Sequence, residues 1–273
     1  MPTESTAPAT PRALTIAGSD SGGGAGIQAD LKTFAVLGVW GMSAVTSVTV
    51  QNTEGVTDVA DVPAPAVAAQ IRAVVTDIGV DAAKTGMLSS ADIIEAVADA
   101  VEDAGIRNLV VDPVFVSKHG DALLHEGAVD ALKKRIVPLA TLVTPNLQEA
   151  SGLAGFEVVN RRDIQEAASA ILDLGAGAVL VKGGHLEGGA DDLFADGGRF
   201  EWIRGERIET PHTHGTGCVL SAAITSYLAR GEGLEEAVRE GKTFVAQAIR
   251  HALAIGHGIG PVSPGWALLR EPR

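Results

Sequence analysis

Cysteine is nearly absent from this chain: Cys218 is the one among 273 residues. A single thiol excludes an internal disulfide and suits a reducing compartment, so a cytoplasmic location is expected. Aromatic residues make up only 4%, which leaves a core to be built from Ala, Val, Leu and Ile. Basic residues are also few: 21 Lys and Arg against 34 Asp and Glu give a net charge of −13. Nucleic acid is held chiefly by Lys and Arg contacts to phosphate, so no nucleic-acid partner is expected. Long apolar runs are missing too. Residues 33–53 carry no charge, but Gly38, Gly41, Ser43, Thr46, Ser47 and Thr49 interrupt them. A helix end, a turn and a buried strand fit that stretch better than a membrane span. Met1 to Pro11 has no apolar centre and is not a secretory signal. Residues 1–12 read as a disordered tail before a single domain over 13–273.

What is present is a regular alternation of strand and helix. Apolar or β-branched runs at 13–17, 43–50, 82–86, 108–111, 141–144 and 178–181 read as strands. Helical spacing falls at 27–37, 64–77, 91–104, 127–135 and 162–174. A hairpin is expected around Asp196-Gly-Gly198, and two helices near 216–229 and 234–255 close the chain. The alternation predicts an α/β fold with a mostly parallel central sheet and helices on both faces. Ligands in such sheets bind beyond the C-terminal strand ends. The polar and Gly-rich clusters gather on that rim: Gly18 to Gly26, Gln51-Asn52, Lys84 to Met87, Asp112 to Lys118, Thr144 to Glu149, Lys182 to His185, and His212 to Cys218. From Gly content and rim position, residues 21–26 and 117–121 are the mobile segments expected.

Thr210-Pro-His-Thr-His-Gly-Thr-Gly-Cys-Val-Leu-Ser221 reads as a loop turning into a helix. Gly215 and Gly217 allow close backbone approach, and Thr216 is a possible cap for a helix over 219–229. The first amides of such a helix lack internal partners and favour an anion. Cys218 in that first turn has its thiolate favoured. The plainer reading is a Gly-rich loop with an inert buried thiol.

Two generic nucleotide motifs fail. Gly24-Ala-Gly26-Ile-Gln-Ala29 matches a dinucleotide-binding pattern, but Gln51 stands where the acidic ribose partner is required. Gly241-Lys242-Thr243 resembles the end of a P-loop but lies in mid-helix. Lys242 is then a solvated helix residue or part of a nucleotide pocket.

Ala13-Leu-Thr-Ile-Ala-Gly-Ser-Asp-Ser-Gly-Gly-Gly-Ala-Gly-Ile-Gln-Ala-Asp30 resembles the opening of bacterial hydroxymethylpyrimidine/phosphomethylpyrimidine kinases of thiamine biosynthesis. Val50-Gln-Asn52, Lys84 to Leu88, Asp112-Pro-Val114, Gly120 to Leu124, Thr144 to Glu149, Val181 to His185, Thr213 to Cys218 and Gly256 to Pro261 resemble the same family in order. The resemblance implies a ribokinase-like single domain, ATP and Mg²⁺ as cofactors, and a homodimer. The reaction implied is transfer of the ATP γ-phosphoryl to the alcohol of 4-amino-5-hydroxymethyl-2-methylpyrimidine, then to the monophosphate.

The resemblance also implies roles. Cys218 would be the base, where most of the wider ribokinase group has Asp, and Gly215, Thr216 and Gly217 would hold the transferring oxygens. Gln51 would read the pyrimidine, with Gly18, Gly26, Asp30 and Met87 around it. Lys182, Asp112, Asn146, Thr213 and Lys242 would meet ATP, and Glu149, Asn146 and Asp112 would hold Mg²⁺, directly or through water. Bland readings stand beside these: Gln51 as a turn residue, Asp30 as a solvated helix residue, Met87 as core filling, Asp112 before a proline turn, Asn146 and Glu149 as a helix cap. His212 and His119 replace the family's usual Asn and Ser, and their roles, with those of Lys118 and His214, stay open. A pyridoxal or pyridoxine kinase of the same fold is the main alternative. A Rossmann-type oxidoreductase and a non-catalytic binding domain are the others.

Overall fold

In the computed structural model residues 10–115, 123–184 and 189–268 are described. The expected tail over 1–9, Lys118, His119, His185 and the mobile segment 117–121 lie outside them. The expected alternation is present. Strand β1 (Arg12–Asp20) leads to α1 (Gly26–Val36), β2 (Trp40–Gln51) and β3 (Val56–Asp61). Then come α2 (Ala64–Asp77), β4 (Ala82–Thr85), α3 (Ala91–Asp103), β5 (Leu109–Val111), and α4 (Ala128–Ala131), which continues into a π turn. After β6 (Leu142–Val143) follow α5 (Leu147–Ala154), α6 (Arg161–Asp173), β7 (Ala178–Val181), and the hairpin β8 (Asp192–Asp196) and β9 (Arg199–Ile203). Helices α7 (Thr216–Ala229) and α8 (Leu234–Arg250) complete the fold.

The strands form one sheet in the order β3-β2-β1-β4-β5-β6-β7-β8-β9. Pairing is parallel from β2 to β7, and antiparallel at β3 on one edge and at β8 and β9 on the other. Several boundaries shift by a few residues, and two differences bear on the fold. The sheet begins at Arg12, which the tail had included; its guanidinium pairs with Asp81 at 2.6 Å. Strand β3 was not anticipated: its residues are mostly exposed, so no alternating apolar pattern marks it.

Side chains leave the sheet alternately, as a period of two requires. Leu109 and Val111 pack toward α2–α6, whereas Val110 faces α7 and α8. The face toward α7 is rich in Ala, Val and Leu, which lets that helix lie close to the strand ends. Among the described residues no helix is long and apolar enough to cross a membrane.

One pair interrupts the apolar core. Lys84 of β4 and Asp30 of α1 are fully buried, 3.1 Å apart, and Thr15 Oγ1 donates to the second Asp30 oxygen at 2.6 Å. Asp30 is therefore neither solvated nor exposed to a ligand: it is the counter-ion that holds Lys84 beneath the strand ends. Removing one partner of a buried pair strands the other charge. Asp30→Ala is expected to lose about 3–5 kcal/mol of stability. The double variant Asp30→Leu/Lys84→Met should recover most of it, as read from urea unfolding midpoints. A double variant no more stable than Asp30→Ala would show that the pair is not what the region depends on.

Candidate active site

A cavity of about 950 Å³ opens along the rim. Every residue expected at the site lines it except Asp30. Its floor is the start of α7. Gly215 caps that helix with φ of 80°, and a Cβ there would lie 1.8 Å from the Gly24 carbonyl. Only glycine permits both the left-handed backbone and that contact. Thr216 is not the cap. It is the first helical residue, and its hydroxyl donates to the Thr213 carbonyl at 2.8 Å. With no side chain capping α7, its leading amides keep their capacity for an anion.

Lys182, at the end of β7, lies against this helix start: a Cβ on Gly217 would be 3.3 Å from its Nζ. The ammonium is 3.1 Å from Asp112 and 3.7 Å from Glu149. Burial alone would lower the Lys182 pKa; the two carboxylates outweigh it and raise it. The same crowding acts in reverse on Glu149. Burial first, and Asp112 further, push its carboxyl up to about 7 despite Lys182. Asn146 and Glu149 form a capping box on α5: the Asn146 side chain accepts from the Glu149 amide at 2.9 Å, and Glu149 accepts from the Asn146 amide at 2.7 Å. The cap engages one lone pair of the Asn146 side-chain oxygen and leaves the other.

Cys218 also departs from expectation. It is partly accessible from the cavity, yet burial raises its thiol to about 12. The Lys84 charge and the Gly26 amide pull the other way, while Asp30 and Asp112 add to the rise. The helix start does not make this sulfur a resting thiolate. Lys242 is likewise engaged elsewhere: it pairs with Asp192 and donates to the Ala190 carbonyl at 2.8 Å. It secures the cavity wall instead of offering a free charge.

The Gly-rich loop after β1 is anchored, contrary to the mobility expected of residues 21–26. Asp20 accepts from the amides of Gly22, Gly24 and Ala25 at 2.8, 3.0 and 2.8 Å. Burial would raise Asp20; the bond from His214 and the loop amides outweigh it and lower its pKa. Gly24 and Ala25 amides bound to a carboxylate cannot cradle a pyrophosphate, which removes the dinucleotide reading on physical grounds.

Gln51 is the last residue of β2, not part of the turn. Ser21 Oγ accepts from its amide at 2.9 Å and donates to its carbonyl at 2.6 Å. Met87 lies against Gly18, whose added Cβ would be 2.9 Å from Met87 Cε. His212 does not line the cavity; its Nδ1 accepts from the Gly260 amide at 3.0 Å. Sequence reasoning gave no role to Asp20, Ser21, Thr49 or Lys84. The signal for Lys84 was there: a lysine inside an apolar strand needs a buried partner.

Such a sheet, with an uncapped helix start, a lysine beside it and a small polar subsite, defines a ribokinase-like small-molecule kinase. The comparisons specify it further. Residues 20–263 match the family model described as phosphomethylpyrimidine kinase, and the chain belongs to that family. It is 51% identical to the hydroxymethylpyrimidine/phosphomethylpyrimidine kinase of Streptomyces coelicolor, over 97% of this chain and 99% of that one. Among solved structures, an ADP complex of Bacillus subtilis pyridoxal kinase is 41% identical with a TM-score of 0.89, covering 96% of this chain and 100% of that one. Phosphomethylpyrimidine kinase from Clostridium difficile is 44% identical with a TM-score of 0.79, covering 87% and 99%.

The Glu149 shift has a stability consequence. Its folded pKa lies above the ordinary value of 4.5, at about 7, so between these values Glu149 is more protonated in the folded chain than in the unfolded one. Stability must then fall as pH rises through that window. Glu149→Gln should flatten the decline when melting temperatures are compared across it. A variant that declines as steeply as the wild type would assign the shift elsewhere.

Proposed function

We propose that the chain transfers the γ-phosphoryl group of ATP to the alcohol of 4-amino-5-hydroxymethyl-2-methylpyrimidine, and then transfers a second phosphoryl to the monophosphate. The observation that carries this reading is one cavity holding Gln51 at one end and, at the other, the α7 start with Lys182 and Cys218 against it. The names of the Streptomyces and Clostridium relatives favour the pyrimidine, and the ADP bound by the Bacillus pyridoxal kinase favours an adenine nucleotide as donor.

Phosphoryl transfer needs positioning and charge neutralisation more than covalent help. The amides of Gly217 and Cys218 and the Lys182 ammonium would meet the transferring oxygens. Mg²⁺, when bound, would neutralise phosphate charge. Asp112 and Glu149 fit it: two carboxylates sharing one ammonium offer hard oxygens, and phosphates and water complete the shell. Among the described residues no three His, Cys, Asp or Glu side chains cluster as a metal site of their own. Asn146 would act on the ion through Glu149 or by its remaining lone pair. Gln51 would read the ring edge, with Met87 beside it.

Cys218 would take the alcohol proton. A thiol held near 12 would first release its own proton to solvent through the open cavity, and Lys84, the Gly26 amide and the α7 dipole are the groups that favour the release. The second acceptor to test is pyridoxal, because solved pyridoxal kinases share this fold closely. A homodimer is also proposed. Val48 and Val50 are exposed on β2 beside the edge strand β3, and a second copy would cover that apolar face. Sedimentation of Val50→Lys at half the wild-type mass would support it; an unchanged mass would not.

Product masses decide the reaction. Protein with ATP, Mg²⁺ and hydroxymethylpyrimidine should yield mono- and then diphosphate. Cys218→Ala should lose about a hundredfold or more, the usual contribution of a general base. Phosphorylation of pyridoxal alone would transfer the chain to that activity. Near-wild-type rates in Cys218→Ala would leave the reaction and remove the base.

A further inference from the structure

Ser19, Thr49, Gln51, His214 and Asp20 form one hydrogen-bonded chain, and its protons can be counted. Thr49 Oγ1 lies 2.8 Å from the Ser19 carbonyl and 3.0 Å from one arm of the Gln51 carboxamide. The other arm lies 3.4 Å from His214 Nε2, which is 3.0 Å from Asp20 Oδ2. A hydroxyl carries one proton and a carbonyl can only accept. Ser19 is the nearer acceptor, so Thr49 donates to Ser19 and accepts from Gln51. An amide oxygen toward Thr49 would set two oxygens together with no proton between them, so the carboxamide is turned over from the orientation with Oε1 at Thr49 and Nε2 at His214, amide O and N being interchangeable in shape, and the arm at Thr49 is the nitrogen.

The other end of the chain gives the same polarity independently. The Asp20 carboxylate can only accept, so His214 Nε2 carries a proton and donates to it. An amide nitrogen facing that Nε2 would oppose donor to donor; an amide oxygen accepts the second branch of the same N–H. His214 Nδ1 is buried with no partner among the described residues. A proton on Nδ1 would be sealed away unpaired, at a cost that the Nε2 tautomer avoids.

We propose that Thr49, His214 and Asp20 are positioning residues that lock the Gln51 carboxamide in one orientation, nitrogen toward Thr49 and oxygen toward His214. Gln51 then presents one free N–H and one free oxygen lone pair to the cavity. Ser21 fixes the backbone of the same residue in both directions, so neither the main chain nor the amide plane is left to choose. This inference rests on the pyrimidine reading of the site. An aminopyrimidine edge carries a ring-nitrogen acceptor next to an amino donor and matches the pair. An acceptor alcohol without the amino group leaves the Gln51 oxygen facing nothing. Discrimination is then set two residues away from the substrate, by a hydroxyl proton on Thr49.

The test compares Thr49→Val and Thr49→Ser with the wild type, on hydroxymethylpyrimidine and on its analogue with the amino group replaced by hydrogen. The wild type should prefer the amino compound. Thr49→Val removes the acceptor for the amide N–H, and the preference should fall about three- to tenfold, the weight of one hydrogen bond. The change should fall on KM for the pyrimidine, with KM for ATP as internal control, and Thr49→Ser should restore it. A preference unmoved by Thr49→Val, or not rescued by Ser, would overturn the proposal. A second measurement needs no substrate: ¹⁵N spectra of the free wild-type protein, with His214 assigned through its backbone resonances, should place its proton on Nε2. A proton found on Nδ1 with Nε2 bare would overturn it as well. Failure of the wild type to phosphorylate either pyrimidine would sink the kinase reading, while the histidine spectrum would still decide the polarity of the chain.

Discussion

The carboxylate of Asp20 holds the site in one piece. It gathers three amides of the Gly-rich loop and faces His214 from the loop that opens α7. These two loops lie 194 residues apart in sequence, and each is poor in side chains that could pack. What joins them is one buried anion satisfied by backbone donors, plus the contact of the Gly24 carbonyl with Gly215. A neutral residue at position 20 would leave three loop amides unpaired, and a buried unpaired amide is costly. The α7 start would also lose the neighbour that sets its entry angle. The C-terminal segment braces the same place from behind, since the His214 amide donates to the Gly260 carbonyl and the Val262 amide to that of His214.

A chain of net charge −13 must still receive phosphates, and local order answers the global field. Carboxylates around the strand ends are paired with lysines of the sheet: Asp30 of α1 with Lys84, and Asp112 and Glu149 of α5 with Lys182. The carboxylates keep the ammoniums charged despite burial, because desolvation alone would lower both lysines and the paired anions reverse it. On the proposed reading, phosphates would meet a fixed cation and a helix start without a side-chain cap, groups already oriented before any ligand arrives.

How much of this was legible follows from where each signal lives. The strand–helix order and the rim were readable because apolar periodicity and Gly-rich strand ends are local properties. That Cys218, Lys182 and Gln51 would line one cavity was readable through position on that rim and through resemblance. The edge strand β3 was not, since a strand exposed on both faces has no alternation to read. Asp20 and Thr49 were hidden for a different reason. Their roles depend on partners such as His214 and Ser19, brought near by the fold, and a short polar residue in a loop looks the same whether it binds water or three amides. Local chemistry also misled at Asp30, which an amphipathic helix pattern assigns to solvent, and at the Cys218 thiolate. The helix dipole was the visible influence; the density of buried carboxylates around the sulfur was the larger one.

That density bears on why a thiol stands at position 218 where the wider fold group usually carries Asp. In and beneath the cavity, Asp30, Asp112 and Glu149 already stand against two ammoniums, Lys84 and Lys182. A further carboxylate would be a fourth anion in a space about to receive phosphates, and like charges at short range disfavour one another's ionised forms. A thiol avoids this by resting neutral, with burial and both aspartates holding its proton. It can still become an anion when positive charge arrives beside it, because Lys84 and the Gly26 amide are already aimed in that direction. On the proposed base role, the raised thiol pKa would let an anionic donor share the cavity with the group that is to accept a proton. Charge at the sulfur would then be deferred until the ligand set is complete, with the fixed pairs around it setting the local field in place of the chain's overall acidity.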